Sequence, residues 1–212
     1  HDGVEFALQG YSDISDAWAY AYQQEGHTFY VINFPTGNAT WVYDVKESAW
    51  HERAYLVSAS GLLQRHRATC HMFFGGEHVV GDWANGKLYA LDLDTYSDNG
   101  DAQLALRSCA HFFDSDNKMV RVDWFEALIE AGIGLQTGQG SAPIMIIRGS
   151  KDGGHTWSAL RTISMGLFGM YRARARHGRL GKARDWVFEI SISDPIKRVI
   201  LGATAQGQVQ SR

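Results

Sequence analysis

The chain reads as one short extended run after another. His27–Phe34 (HTFYVINF) and Thr40–Val45 (TWVYDV) are rich in β-branched and aromatic residues, and they flank Pro35-Thr36-Gly37-Asn38, a turn by composition. Ala17–Gln23 alternates aromatic and small residues with the period of a half-buried strand. Lys46-Glu47-Ser48 supplies a further turn before Trp50. His78–Trp83 and Lys87–Leu93 flank Asn85-Gly86, a strong signal for a type I′ hairpin turn, which needs positive φ at both central positions. Tyr171–His177 (YRARARH), Val187–Ser193 and Arg198–Ala203 alternate or run apolar as strands do. Met119–Ala131 (MVRVDWFEALIEA) alternates at first and then reads like a helical turn near Phe125–Glu130; a strand is expected there. The pattern as a whole predicts an all-β fold of antiparallel strands.

One segment is more specific. Ser150-Lys151-Asp152-Gly153-Gly154-His155-Thr156-Trp157 fits S-x-D-x-G-x-T-W, the pattern called an Asp-box, with Ser150, Asp152, Gly154, Thr156 and Trp157 at the specified positions. An Asp side chain accepts hydrogen bonds from its own turn, Gly supplies positive φ, and Trp offers a large apolar body to the base of a hairpin. The motif is a scaffold signature of many-stranded β proteins, very often propellers, and carries no chemistry of its own. The bland alternative is an ordinary glycine-rich turn that precedes a Trp. Weak repetition agrees with blades: Tyr43 and Tyr89, each beside a hairpin, lie 46 positions apart. At about 40–50 residues per blade the chain offers four or five, marginal for closing a ring. The expected architecture is therefore a β-propeller-like array of antiparallel blades with an Asp-box hairpin, a single domain over residues 1–212, with an incomplete propeller left open. The chain starts at His1 rather than Met and reads as processed or as the C-terminal part of something longer.

Composition narrows the class. Twenty-three Gly against 3 Pro makes most turns glycine turns, and 12% aromatic residues suit strands and exclude disorder. The formal charge of −3 gives no general argument for nucleic acid or an anionic membrane. No stretch reaches the apolar length of a membrane helix, so no membrane insertion is expected. Two cysteines, Cys70 and Cys109, cannot make a disulfide framework; reduced thiols in a protein assembled in the cytosol are expected.

The charge distribution is more informative than the total. Arg172, Arg174 and Arg176 are spaced by two and would share one face of a strand, with Arg179, Lys182 and Arg184 following closely. Such a stripe could face phosphates or an acidic partner; the plainer reading is a solvated strand face paired with acids on its neighbours. Cys70-His71 and Cys109-Ala110-His111 lack the spacing of a metal site, and no metal is expected. Asp92, Asp94 and Asp98 lack the spacing of a calcium loop and read as a solvated acidic turn. Gly132-Ile133-Gly134 and Gly138-Gln139-Gly140 make a glycine-rich loop without a P-loop lysine. Neither a catalytic residue nor a cofactor is expected.

Taken in order, the blocks resemble a known family. His27-Thr28-Phe29-Tyr30 through Phe34-Pro35-Thr36, Thr40-Trp41-Val42-Tyr43-Asp44 and Trp50-His51-Glu52-Arg53 come first. Val80-Gly81-Asp82, Gly86-Lys87-Leu88-Tyr89 and Tyr96-Ser97-Asp98-Asn99-Gly100 come next. Ala142-Pro143-Ile144-Met145 leads to the Asp-box, and Arg179-Leu180-Gly181-Lys182-Ala183-Arg184 and Ser193-Asp194-Pro195 close the series. The series is similar to the packaged-DNA stabilisation proteins, the tail hub or nozzle proteins, of short-tailed bacteriophages, over roughly Asp16 to Ala203.

The resemblance implies a structural, non-catalytic virion protein. It implies a homo-oligomeric ring, six-fold, below the portal and its adaptor protein, which retains packaged DNA and seats the tail needle and tailspikes. The location implied is the virion tail, with host cytoplasm during assembly. Two other functions stay open on the residues. A sialidase-like Asp-box glycoside hydrolase would have to draw on Tyr171, Glu189 and the arginines. A generic protein-binding propeller would need no chemistry at all.

Overall fold

The structure is a computed structural model that describes residues 2–210. The chain divides into two compact units, His1–Asp101 and Ala102–Arg212, where the sequence suggested one domain over residues 1–212. The cause is visible in the cores: each unit buries its own apolar cluster.

Unit 1 begins with α1 (Asp2–Gln9), which the hydrophobic pattern does not announce. Val4, Ala7 and Leu8 fall at i, i+3 and i+4 and are the covered side chains among those described, so the apolar stripe is too short to register as periodicity. The strands of this unit are β1 (Trp18–Gln24), β2 (His27–Phe34), β3 (Ala39–Asp44), β4 (Ala49–Glu52), β5 (Ala54–Val57), β6 (Leu62–Arg65), β7 (Ala68–Phe74), β8 (Glu77–Asp82) and β9 (Leu88–Ala90). Two short strands, β10 (Ser97–Asp98) and β11 (Asp101–Ala102), lie at the boundary. β1-β2-β3-β4 form one four-stranded antiparallel sheet, the form of a propeller blade; β5-β6 and β7-β8-β9 form a two- and a three-stranded sheet. Alternation places Val31 of β2 directly opposite Val42 of β3, both fully buried, with Tyr22 packed beside them.

The internal repetition is real but has a different period from the one expected. Asp44 ends β3 and accepts the amides of Lys46 (3.0 Å) and Glu47 (3.3 Å) at Oδ1, and Ser48 comes next with φ 53°. Asp82 ends β8 and accepts the amides of Ala84 (2.6 Å) and Asn85 (3.3 Å) at Oδ1, and Gly86 comes next with φ 67°. The two turns match residue for residue at a spacing of 38 positions. Tyr43 and Tyr89, by contrast, lie on non-equivalent strands, β3 and β9. The Asn85-Gly86 turn is likewise not type I′, because only Gly86 has positive φ. Asp82 accepts the Asn85 amide, and the turn is a longer loop in place of a two-residue one.

His66, on the link from β6 to β7, accepts the Ala68 amide at Nδ1 (3.2 Å). That bond needs a neutral ring. Burial, and then the positive charge of Arg53, push the imidazole down to about 4 from the ordinary 6.5. The unfolded chain therefore takes up a proton near pH 6.5 that the folded chain refuses until about pH 4. Stability that is full above about pH 6.5 falls through that window. The expected slope is up to about one proton in the pH dependence of the urea midpoint between about pH 6.5 and 4.5. His66→Gln should flatten it, and an unchanged slope would place the acid sensitivity elsewhere.

Unit 2 contains β12 (Ala105–Ser108), β13 (Phe112–Phe113), β14 (Val120–Ile129), β15 (Ile144–Ser150), β16 (Arg161–Ser164), β17 (Ala175–Ala183), β18 (Asp185–Ile192) and β19 (Ile200–Val209). One sheet runs β12-β18-β15-β16, with β13 also on β18; the other runs β17-β14-β19. Trp186, Phe188, Ile190, Met145 and Ile147 of the first sheet share a core with Val120, Val122, Phe125 and Ala127 of the second. Two antiparallel sheets closed over a common core make a sandwich. β18 is buried along most of its length, which is why it reads as a continuous apolar run. The segment Met119–Ala131 contains the expected strand, β14, held on both edges by β17 and β19.

Candidate functional site

The Asp-box folds as its residue types dictate. It leaves the end of β15 and returns to β16, its antiparallel partner. Ser150 is fully buried, and its hydroxyl donates to Asp152 Oδ1 (2.7 Å) while accepting the Gly154 amide (2.8 Å). Asp152 accepts the Thr156 amide at Oδ1 (2.8 Å) and the Thr156 hydroxyl at Oδ2 (2.6 Å). The Thr156 hydroxyl, then the Ser150 hydroxyl, hold the Asp152 carboxyl far below the ordinary carboxylate range. Gly153 and Gly154 take φ 69° and 98°. Trp157 is half-buried rather than core, with the Arg148 guanidinium 4.6 Å from its ring centroid. The motif thus belongs to the sandwich, not to a blade, and its carboxylate is fully engaged in shaping the turn.

Ser150→Ala leaves the Gly154 amide without its acceptor inside the protein. The expected cost is about 1–3 kcal/mol in urea unfolding. His155→Ala on the same exposed turn should stay within about 0.5 kcal/mol. Equal effects would mean that the turn's hydrogen bonds carry no stability.

The basic stripe does not survive as a stripe. β17 starts at Ala175, so Arg172 and Arg174 lie on the preceding turn, outside the strand's alternation. Arg174 makes a two-pronged pair with the buried Glu126, Nε to Oε1 at 2.7 Å and Nη2 to Oε2 at 2.5 Å. That guanidinium holds the Glu126 carboxyl below its usual range. Arg176 lies over the Trp124 ring, 4.1 Å from the centroid. A bulge turns the chain between Arg176 and Lys182, and Arg179 takes φ 59°. Arg184 comes just after the end of β17 and lines a recess with Lys182 and Lys118. Strand periodicity was the wrong ruler: a turn interrupts it on one side and a bulge on the other.

The remaining candidates are committed to structure. Glu189, needed for a sialidase-like set, accepts from Arg148 Nε (2.5 Å) and Ser108 Oγ (3.3 Å) within its sheet, while Tyr171 sits on an exposed turn. Asp92 accepts the Asp94 amide and the Thr95 hydroxyl of its own turn. In the glycine-rich loop the Leu135 amide donates to the Gly140 carbonyl (2.8 Å), and a Cβ on Gly140 would press on Ile196; its glycines serve packing. Cys70 is exposed and Cys109 half-buried, both as free thiols, and burial pushes the Cys109 thiol up.

Unit 1 holds a feature that no motif announced. A cavity of about 400 Å³ is lined by Tyr55, His66, Arg67, Asp82, Tyr89 and Asp101, among others. Arg67 stacks on Tyr55 at 4.0 Å and reaches Asp82 at 3.6 Å. Nearby Arg65 lies between the rings of Trp18 (5.3 Å) and Trp83 (4.1 Å). These arginines of unit 1 are interleaved with aromatic rings from separate stretches of sequence, which is why spacing does not reveal them.

Two family models match the chain. One, described as bacteriophage P22 Gp10, beta-propeller, covers residues 2–96. The other, described as bacteriophage P22 Gp10, beta-sandwich, covers residues 107–208. The gap between them brackets the boundary between the two units. No curated protein matches the chain.

Proposed function

The chain belongs to the bacteriophage P22 Gp10 family, and from that premise we propose that it works as a tail hub that closes the portal channel behind packaged DNA. The family is one of structural, non-enzymatic phage proteins associated with stabilisation of DNA, located in the virion tail as oligomeric components. The observation that carries the proposal is the order of the two matches, propeller then sandwich, on two units that each have their own core. In this reading the protein repeats around the channel as a closed ring, six-fold, with a heterologous contact between neighbours. It meets the portal-adaptor protein on one side and the tail needle and tailspikes on the other, after assembly in the host cytoplasm.

The surface supports a role in assembly. Phe73 and Phe74 at the tip of β7 are exposed, as are Leu167, Phe168 and Met170 on the β16–β17 connection. Large apolar side chains grouped at loop tips are suited to contacts with other chains. Arg172 and Arg184 stay exposed for a charged neighbour or for DNA phosphates.

The test uses DNA-filled phage heads that carry their adaptor but lack the hub. Adding this chain should protect the DNA from nuclease after mild heating. Unprotected DNA, on heads that an established hub protein does seal, would overturn the proposal.

A further inference from the structure

A second cavity, of about 200 Å³, opens in unit 2 beside the Asp-box. Its wall carries Arg148, Lys151, Arg161, His177 and Arg179, and no carboxylate is among its lining residues. These residues come from β15, the Asp-box turn, β16 and β17, so the folded sandwich gathers cations that the sequence keeps apart. Arg148 is neutralised by Glu189 at 2.5 Å. Among the described residues, Lys151, Arg161 and Arg179 form no ion pair. Three uncompensated positive charges around one recess repel one another, and an anion would relieve that repulsion.

Each cation is placed by a specific device. Lys151 comes directly after the buried Ser150 and lies with Nζ 5.4 Å from the ring centroid of the buried Trp186. A Cβ on Gly181 would come within 3.0 Å of that Nζ, so glycine there leaves the lysine its space. Arg161 starts β16, opposite Ile147. His177 has its imidazole pushed down, first by burial and then by Arg161, which keeps the ring a neutral hydrogen-bonding group. Arg179 sits in the bulge of β17, where the pairing passes from Val122↔Gly181 to Trp124↔Gly178. It holds φ 59°, a conformation a non-glycine residue adopts at a cost. Bulges re-aim side chains, and this one gives the pocket a guanidinium in place of the glycine its backbone would prefer.

We infer that unit 2 carries a pocket for a phosphate group, formed by Lys151, Arg161, His177 and Arg179. Guanidinium forks and a lysine point charge lining one recess match a tetrahedral oxyanion. A water's share of liquid volume is about 30 Å³, so the cavity has room for a phosphate and a few waters. The phosphate could be free or part of a DNA backbone. The inference rests on the pocket alone and does not depend on the channel-closing role.

Isothermal titration of the full chain with inorganic phosphate, against sodium chloride at equal ionic strength, tests it. Saturable binding is expected. Arg161→Gln combined with Arg179→Gly should weaken it at least tenfold. Arg179→Gly relaxes the strained backbone, so the unfolding midpoint of that variant should not fall; this separates a lost ligand site from a damaged fold. A parallel titration with a short DNA duplex names the source. A matching tenfold loss identifies the backbone phosphate, and unchanged duplex binding beside lost phosphate binding identifies free phosphate; both support the pocket. No phosphate binding above chloride, or undiminished binding in the double variant, would overturn it. A chain that binds phosphate yet fails to seal phage heads would refute the channel role and leave the pocket standing.

Discussion

Replacing Trp186 with Ala is expected to lower the unfolding free energy by about 3–5 kcal/mol, the range for deleting a large buried aromatic. Trp186 is 1% exposed and joins the two sheets of the sandwich. From β18 its ring stacks on Phe188 (5.4 Å, 11° between planes), and Phe188 in turn stacks on Phe125 of β14 (4.6 Å). Its Nε1–H donates to the carbonyl of Val120 at the start of β14 (3.1 Å). Truncation therefore removes the stack and the hydrogen bond to Val120 and leaves a void in the core. Trp186→Phe keeps most of the ring area and loses the hydrogen bond, so about 1–2 kcal/mol is expected. Urea unfolding followed by far-UV circular dichroism distinguishes the two. A loss below about 1 kcal/mol for the Ala variant would mean that the stack is not the link between the sheets.

The same residue shows how far the sequence alone could reach. The Asp-box singled out Trp157 as the tryptophan to bury, because the motif fixes a local turn and the turn sets the path of the chain just beyond it. Its hydrogen bonds are indeed local: Ser150, Asp152, Gly154 and Thr156 find one another within a few positions. Burial is not local. Trp157 ends half-exposed beneath Arg148, while Trp186, which no motif marks, takes the centre of the core. Strands with long apolar or alternating runs, such as His27–Phe34, were legible because burial on a sheet face imposes the period directly. The arginine spacing at 172–176 carried the same period but belonged to a turn and a strand start, and Glu126, 48 positions away, had already claimed Arg174. The propeller reading holds for residues 2–96, but the Asp-box that prompted it lies in the sandwich. An Asp-box turn needs only two antiparallel strands, and a sandwich provides them as well as a blade does.

Unit 1 depends on a smaller core, so a single polar residue carries more weight in it. Thr40 is fully buried on β3, and its hydroxyl donates to Asn33 Oδ1 of β2 (2.8 Å), itself fully buried. The same oxygen accepts the backbone amide of His66, on the link between β6 and β7 (3.1 Å). One hydroxyl thus ties the four-stranded sheet to the segment after the next hairpin. Thr40→Val preserves shape and removes both bonds, leaving a buried amide oxygen and a part-buried N–H unpaired. At about 1–3 kcal/mol for each orphan, a total of about 2–6 kcal/mol is expected. The discriminating variant is Asn33→Leu with Thr40→Val. It also deletes Asn33 Nδ2, which is buried without a hydrogen-bond partner already. Removing both halves of a buried polar pair costs far less than removing one, so the double variant should recover part of the stability lost by Thr40→Val. If the two substitutions instead add, the pair is not coupled, and the His66 amide alone accounts for the loss.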